Sequence, residues 1–178
     1  DLPRAERMLT DVPVRSRRSM ISEVNRARGE RKYRVGYFLG CATDMFYPSV
    51  ARATVDILTW HGCEVIVPKD IKCCGQPHIA NGKMETARSL AAHNVKIFNA
   101  YDLDYIVTDC ASCSAALSHK NMEFLLGGLN IEDQAKTFSE KVLDLTLFLT
   151  EVLDIEVPNP EMARKVKVTW HDPCHLAN

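Results

Sequence analysis

Short apolar runs alternate with longer stretches of helical periodicity along most of the chain. The runs are rich in β-branched and aromatic residues and predict strands over residues 34–39, 64–67, 105–108 and 167–170. Between them, apolar residues recur every three or four positions, which predicts helices over residues 48–61, 82–99, 114–126 and 140–153. Strands that alternate with helices indicate βαβ units and a parallel sheet. We therefore predict an α/β fold, a Rossmann-like parallel sheet flanked by helices.

Cysteines concentrate at one edge of this predicted sheet. Ligands of open parallel sheets bind beyond the carboxyl ends of the strands. In the segment 73–77, a glycine after two adjacent cysteines permits a positive φ, and the proline fixes its own φ. Such a turn can present both sulfurs on one side. The cysteines that fall just past a predicted strand, or a few residues after one, are Cys41, Cys73, Cys74, Cys110 and Cys174.

The overall composition is that of an ordinary globular domain. The chain has 178 residues, of which 46% are hydrophobic and 25% charged. No apolar run approaches the ~20 residues of a membrane helix, and no signal-peptide pattern opens the sequence. Because the first residue is Asp1 rather than methionine, we expect the chain to be part of a longer protein.

The charge is concentrated in the first segment. Residues 1–34 hold ten Lys and Arg against five Asp and Glu, although the whole chain has a net charge of −1. We predict that residues 1–33 form a basic, solvated linker or arm. Nucleic-acid binding is not expected, because the arm lacks interleaved aromatic residues beyond Tyr33.

The last residues echo the first strand. Val35 lies six residues before Cys41, and Val168 lies six residues before Cys174, each through an apolar run. Two nearby prolines mark a boundary. We therefore predict a main domain over residues 34–157, followed by a linker and the first strand of a truncated second unit over residues 158–178.

The cysteine count predicts metal binding in a reducing compartment, which indicates a cytoplasmic protein. Seven cysteines without a secretory signal argue against a disulfide framework. Five clustered thiols exceed the four that a tetrahedral zinc or a cubane cluster requires. An iron–sulfur cluster, a zinc ion on four of the thiols, and free or disulfide-linked thiols all remain open here. The five are Cys41, Cys73, Cys74, Cys110 and Cys113.

This cysteine pattern resembles the cysteine-rich CCG domain of heterodisulfide reductase subunits B and D and of glycolate and lactate oxidase iron–sulfur subunits. Gly40-Cys41 with residues 45–48, and the segment 73–77, are most similar to the lactate/glycolate branch. The resemblance covers residues 34–126, and residues 171–175 resemble the start of a second CCG unit. It implies a noncubane 4Fe–4S cluster held by those five cysteines, with Cys174 as a ligand of the second unit.

The resemblance also implies an electron-transfer function. A flavoprotein partner would oxidise a 2-hydroxy acid, glycolate or D-lactate, and this domain would relay the electrons. FAD is expected only on the partner, because no hydride-acceptor site is visible in this chain. A further iron–sulfur subunit or domain is expected as well, since ferredoxin-like motifs usually precede CCG units and residues 1–33 contain none. Any membrane association would be peripheral, at the inner face and through a partner.

Two alternatives remain open. One is a heterodisulfide-reductase-like module that cleaves disulfides at a noncubane cluster, and the other is a zinc-stabilised structural domain. No catalytic residue is assigned, because no Ser/His/Asp arrangement, phosphate-binding loop or paired-carboxylate signature is present.

The remaining polar residues are given supporting roles. Cys63 is predicted to be a small buried hydrophobic residue. His61 is placed at a helix C-terminus, and Asp109 is interpreted as a hydrogen-bond donor or turn residue. Two interpretations remain open for three histidines: each is either a group near the site or an ordinary loop residue. These are His78, His171 and His175.

Overall fold

The structure is a computed structural model that describes residues 16–155 together with the single residues 167 and 169. The strands are β1 (Val24–Asn25), β2 (Tyr33–Tyr37), β3 (Cys63–Ile66), β4 (Tyr105–Thr108) and β5 (Val142–Asp144). The helices are α1 (Arg17–Met20), α2 (Cys41–Phe46), α3 (Pro48–Trp60), α4 (Gln76–Ala80), α5 (Met84–Asn99), α6 (Ala111–Leu117), α7 (His119–Leu126), α8 (Glu132–Glu140) and α9 (Leu145–Leu147), which is followed by a π-helical turn over Phe148–Val152.

The strands form one mixed, mostly parallel sheet in the order β1-β3-β2-β4-β5. Strands β3, β2, β4 and β5 are parallel, and β1 pairs antiparallel with β3. Val35 of β2 faces Val65 on β3 and Tyr105 on β4. The predicted α/β class is confirmed, and the antiparallel edge strand is an addition to it. Because the chain steps from β2 to β3 on one side and then crosses to β4 on the other, the sheet has a switch point between β2 and β4.

Each face of the sheet carries its own core, because successive strand residues point to opposite faces. On one face, α3 packs its apolar stripe over Val35 and Tyr37. On the other face, α5 and the helices after β4 pack over Phe38 and Ile106. Gly36 is required on this second face: a Cβ there would lie 2.7 Å from Leu103 Cδ1 and 2.9 Å from Phe98 Cε1.

The helix predicted over residues 140–153 is wrong in its first part. Residues Val142–Asp144 form β5, parallel to β4, and a new helix begins after them. The Asp144 carboxylate accepts a hydrogen bond from the Thr146 N–H at 2.8 Å, which caps that helix. A short strand followed by one helical turn thus produces apolar spacing close to that of a continuous helix.

Two further helices differ from the prediction. The helix predicted over 114–126 is divided into α6 and α7, because Ser118 adopts an extended conformation with φ −62° and ψ 157°. Helix α8 was not predicted at all. Its polar sequence leaves only a narrow apolar stripe, which is centred on Ala135 and Phe138.

The described part of the predicted basic arm packs against the domain. Ile21 is buried, and Val24 and Asn25 pair with Ile66 and Val65 of β3. Part of the predicted linker or arm is therefore packed rather than solvated, and its assignment as a linker stays a prediction. The predicted domain boundaries stay predictions, and the strand expected over 167–170 falls on residues of which only 167 and 169 are described.

Candidate metal centre

Five cysteines from three loops line one open cavity of about 370 Å³ at the carboxyl edge of the sheet. Cys41 opens α2 just beyond β2, and Cys110 and Cys113 lie at the start of α6 just beyond β4. Cys73 and Cys74 lie in the loop between β3 and α4. The structure thus brings together all five cysteines that the sequence selected. The other lining residues are Ala42, Gln76, Pro77, Ala80 and Ser112.

The five thiols differ in their access to solvent. Cys74 and Cys113 are only 3% and 4% exposed, Cys73 and Cys110 are half-buried, and Cys41 is exposed. Within residues 16–155, no three Cys, His, Asp or Glu side chains are grouped so that they could hold a single metal ion. Neighbouring thiols nevertheless contact one another around the cavity wall: Cys113 contacts Cys110 and Cys74, and Cys41 contacts Cys73.

Backbone amides point at the sulfurs. The N–H of Gly75 donates to the Cys73 sulfur, and the N–H of Gln76 donates to the Cys74 sulfur. This geometry depends on the turn predicted from the sequence, since Gly75 has a φ of 92° and precedes α4 directly. At the start of α6, the N–H groups of Ser112 and Cys113 donate to the Cys110 sulfur.

These contacts give the thiols different pKa values. Hydrogen bonding from Cys113 lowers the pKa of Cys110 to about 6 and that of Cys74 to about 7, and the backbone donors act in the same direction. The same contacts raise the pKa of Cys113. Burial raises the pKa of Cys73 to about 11. Cys110 and Cys74 are therefore the thiols whose pKa values most favour the thiolate, the form that binds metal.

Asn94 of α5 fixes the loop that precedes the cysteine pair. The Lys72 N–H donates to Asn94 Oδ1 at 2.8 Å, and Asn94 Nδ2 donates to the Cys73 carbonyl at 3.1 Å. The side chain is completely buried. Sequence reasoning missed this residue, although a single amide within the apolar stripe of a helix is a usable signal, because a buried amide needs partners.

Asp109 joins the Cys110 loop to the elements on the other side of the switch point. Its carboxylate accepts hydrogen bonds from Tyr37 Oη at 2.5 Å, Thr43 Oγ1 at 3.1 Å and Thr54 Oγ1 at 3.2 Å. Burial, and then the charge of Asp109, raise the pKa of Tyr37, so the phenol stays a donor. Asp109 is an acceptor here rather than the predicted donor, and it ties β4 to β2, α2 and α3.

The other predicted residues lie apart from the cavity or outside the described residues. Cys63 is fully buried in the core under α3, as predicted, and burial raises its pKa to about 11. His78 is half-buried and does not line the cavity. His61 caps the C-terminus of α3, as predicted. Cys174, His171 and His175 lie outside the described residues.

Residues 35–118 match the family model described as a cysteine-rich domain, CCG. This part of the chain is a CCG domain. The matched segment contains all five cavity cysteines, as well as Asn94 and Asp109. The family resemblance inferred from the cysteine spacing is therefore confirmed.

Several curated proteins are similar to this chain, and some of them are iron–sulfur proteins by name. An uncharacterized iron-sulfur protein of Methanocaldococcus jannaschii is 34% identical over 145 residues, which are 82% of this chain and 26% of that protein. Lactate utilization protein A of Shouchella clausii is 35% identical over 143 residues, 80% of this chain and 58% of that protein. A probable glycolate oxidase iron-sulfur subunit of Bacillus subtilis is 29% identical over 177 residues, 97% of this chain and 38% of that protein.

The chain spans only about a quarter to just over half of the length of these relatives. No solved structure matches it significantly. None of the helices in the part of the chain that the structure describes is both long and apolar enough to cross a membrane.

Proposed function

We propose that the CCG domain binds an iron–sulfur cluster through Cys41, Cys73, Cys74, Cys110 and Cys113, and that it transfers electrons for a flavin-dependent oxidase or dehydrogenase of 2-hydroxy acids. The observation that carries the proposal is the convergence of five thiols from three loops on one cavity. The finer assignment, a noncubane 4Fe–4S cluster with all five cysteines as ligands, follows the family resemblance.

The donor set fits such a cluster. Thiolates are the normal ligands of iron–sulfur clusters, and N–H groups directed at the sulfurs are one of the means by which a protein sets the cluster potential. When bound, the cluster supplies a one-electron redox centre. The chain's own contribution is to hold five thiols on three fixed loops and to leave Cys41 exposed at the cavity mouth, where a partner can approach.

The substrate class and partners rest on the relatives. Their names refer to lactate utilization and to glycolate oxidase, which supports glycolate or D-lactate as the substrate of a separate FAD-containing subunit. A further iron–sulfur subunit or domain completes the proposed assembly in the cytoplasm. Residues 158–178 are proposed to begin a second CCG unit, in which Cys174 is a ligand.

Metal analysis after strictly anaerobic purification tests the cluster. We expect about four iron and four acid-labile sulfide atoms per chain, and an electron paramagnetic resonance signal in one oxidation state. Stoichiometric zinc with fewer than about two iron atoms would contradict the proposal and favour the zinc-stabilised domain.

A disulfide-cleaving module is the second candidate function, and the open shape of the cavity supports it. The cavity is open, and apolar residues such as Ala42, Pro77 and Ala80 line it beside the thiols, which leaves room for a substrate. Reduction of a disulfide by the chemically reduced holoprotein, measured by thiol release over many turnovers, would favour this candidate. Electron uptake from a flavoprotein partner without thiol release would exclude it.

A further inference from the structure

Arg18 reaches from the N-terminal segment into the loops that carry the cysteines. Its Nη2 donates to the Leu39 carbonyl at 2.8 Å, and its Nη1 donates to the Ile71 carbonyl at 2.6 Å. Each carbonyl lies two residues before a cavity cysteine, Cys41 in one loop and Cys73 in the other. One guanidinium therefore joins the loop after β2 to the loop after β3.

The Arg18 side chain is itself held in place. It is only 15% exposed, and the backbone N–H of Arg18 donates to Asp44 Oδ1 at 2.6 Å. The Lys69 ammonium donates to the carbonyls of Arg18 and Ile21. Burial lowers the pKa of Arg18, whereas Asp44 and then Cys41 raise it. A guanidinium stays protonated under these conditions, so a positive charge lies at the loop before Cys41, where it also pairs with Asp44 Oδ2 at 3.9 Å.

We propose that Arg18 is a positioning residue of the metal centre, which clips the Cys41 loop to the Cys73–Cys74 loop and keeps a positive charge beside Cys41. The inference rests on the proposed function, since the positioned group is the cluster. Nothing in the family match covers this residue, because the matched segment begins at residue 35.

The two roles of Arg18 predict different effects. Without the guanidinium, two carbonyl groups lose their donor, and the loops separate more easily. Without the positive charge, the reduced cluster, which carries one more negative charge than the oxidised cluster, loses stabilisation. The first effect should accelerate cluster loss, and the second should move the midpoint potential to more negative values.

Three variants separate these effects. Arg18→Gln removes both the charge and the paired donors. Arg18→Lys keeps the charge but loses the two separate nitrogens that donate to both carbonyls at once. Arg34→Gln is the matched control, because Arg34 pairs with Glu64 at 2.9 Å and lies at the start of β2, away from the cysteine loops. We expect several-fold faster cluster loss in both Arg18 variants, a more negative potential only in Arg18→Gln, and neither change in Arg34→Gln.

Amide hydrogen exchange of the metal-free protein provides a readout that needs no cluster. We expect faster exchange over residues 39–41 and 71–74 together in both Arg18 variants, and unchanged exchange there in Arg34→Gln. If wild type binds no iron, the proposed function fails, and the exchange data alone decide whether Arg18 clips the loops. Unchanged exchange, cluster lifetime and potential in both Arg18 variants, or equal changes in Arg34→Gln, would overturn the inference.

Discussion

Two cysteine environments exist among the described residues. Cys63 lies on β3 in the core beneath α3, where no polar group needs its sulfur. Cys74 is buried to nearly the same degree, yet its sulfur accepts the Gln76 N–H and contacts the Cys113 thiol. Burial therefore does not distinguish Cys63 from the proposed ligand Cys74, whereas the N–H group directed at the Cys74 sulfur does.

Serine replacement at these two positions tests the ligand assignment. Cys74→Ser should reduce iron and sulfide to background levels, because a hydroxyl replaces a proposed thiolate ligand of the cluster. Cys63→Ser should leave the iron content unchanged and lower only the stability. The measurement is iron and sulfide per chain after anaerobic reconstitution, with the unfolding midpoint as a check on folding. Loss of iron in Cys63→Ser alone would show that the ligand set is misassigned.

At the level of single residues, the sequence predicts which cysteines line the cavity, but it does not predict the residues that hold the cysteine loops in place. The five cysteines are recognisable because their spacing and their positions after strands are local features. Arg18 and Asp109 act through partners that are distant in the chain, such as Leu39, 21 positions from Arg18, and Tyr37, 72 positions from Asp109. A basic residue in a charged segment and an acidic residue in a loop carry no local sign of such contacts.

Among the secondary-structure elements, α5 is predicted to within two residues, and it also supports the site. Its apolar stripe packs on β2, while Asn94 in the same stripe holds the backbone of Lys72 and Cys73. One helix therefore contributes both to the core and to the geometry of the cysteine pair. The elements after residue 127 were predicted poorly, because α8 is largely polar and β5 is only three residues long.

Asn94→Leu tests the supporting role of α5. Leucine has a similar volume but leaves the Lys72 N–H and the Cys73 carbonyl without this partner, which should cost about 1–3 kcal/mol for a buried group. We expect that loss in the free energy of unfolding of the metal-free protein, measured in denaturant, and a lower iron content after reconstitution.

Asn99→Leu is the matched control for this prediction. Asn99 lies on the same helix, is exposed, and donates to the Gln134 carbonyl at 3.1 Å. Its replacement should change stability by no more than about 0.5 kcal/mol and leave the iron content unaltered. Equal effects of the two substitutions would show that Asn94 has no special role at the cysteine pair.

For the molecule as a whole, two glycines at the switch point of the sheet have different roles. One lies in β2 and affects the stability of the core, and the other lies in the loop after β2 and affects the geometry of the proposed site. Gly36 lies within β2, directly against Leu103 and against Phe98 of α5. Gly40 follows the same strand, and a Cβ at that position would lie 3.0 Å from the Cys113 sulfur. The first glycine permits close packing of the core, and the second permits the close approach of the α2 and α6 loops.

Alanine at these two glycines should therefore separate folding from cluster retention. Gly36→Ala overpacks a rigid part of the core and should lower the free energy of unfolding of the metal-free protein by about 1–3 kcal/mol.

Gly40 has an ordinary φ of −61°, so Gly40→Ala introduces no backbone strain. In the metal-free protein, the Cys113 side chain can shift by a few tenths of an ångström. A sulfur bound to iron cannot shift as freely, so Gly40→Ala should lose its cluster several-fold faster than wild type while unfolding at nearly the same denaturant concentration. Denaturant unfolding and the decay of cluster absorbance measure the two quantities independently. A large loss of stability in metal-free Gly40→Ala would show that the Cys113 side chain cannot shift away from the new Cβ. A wild-type cluster lifetime in that variant would contradict the assignment of Cys113 as a ligand.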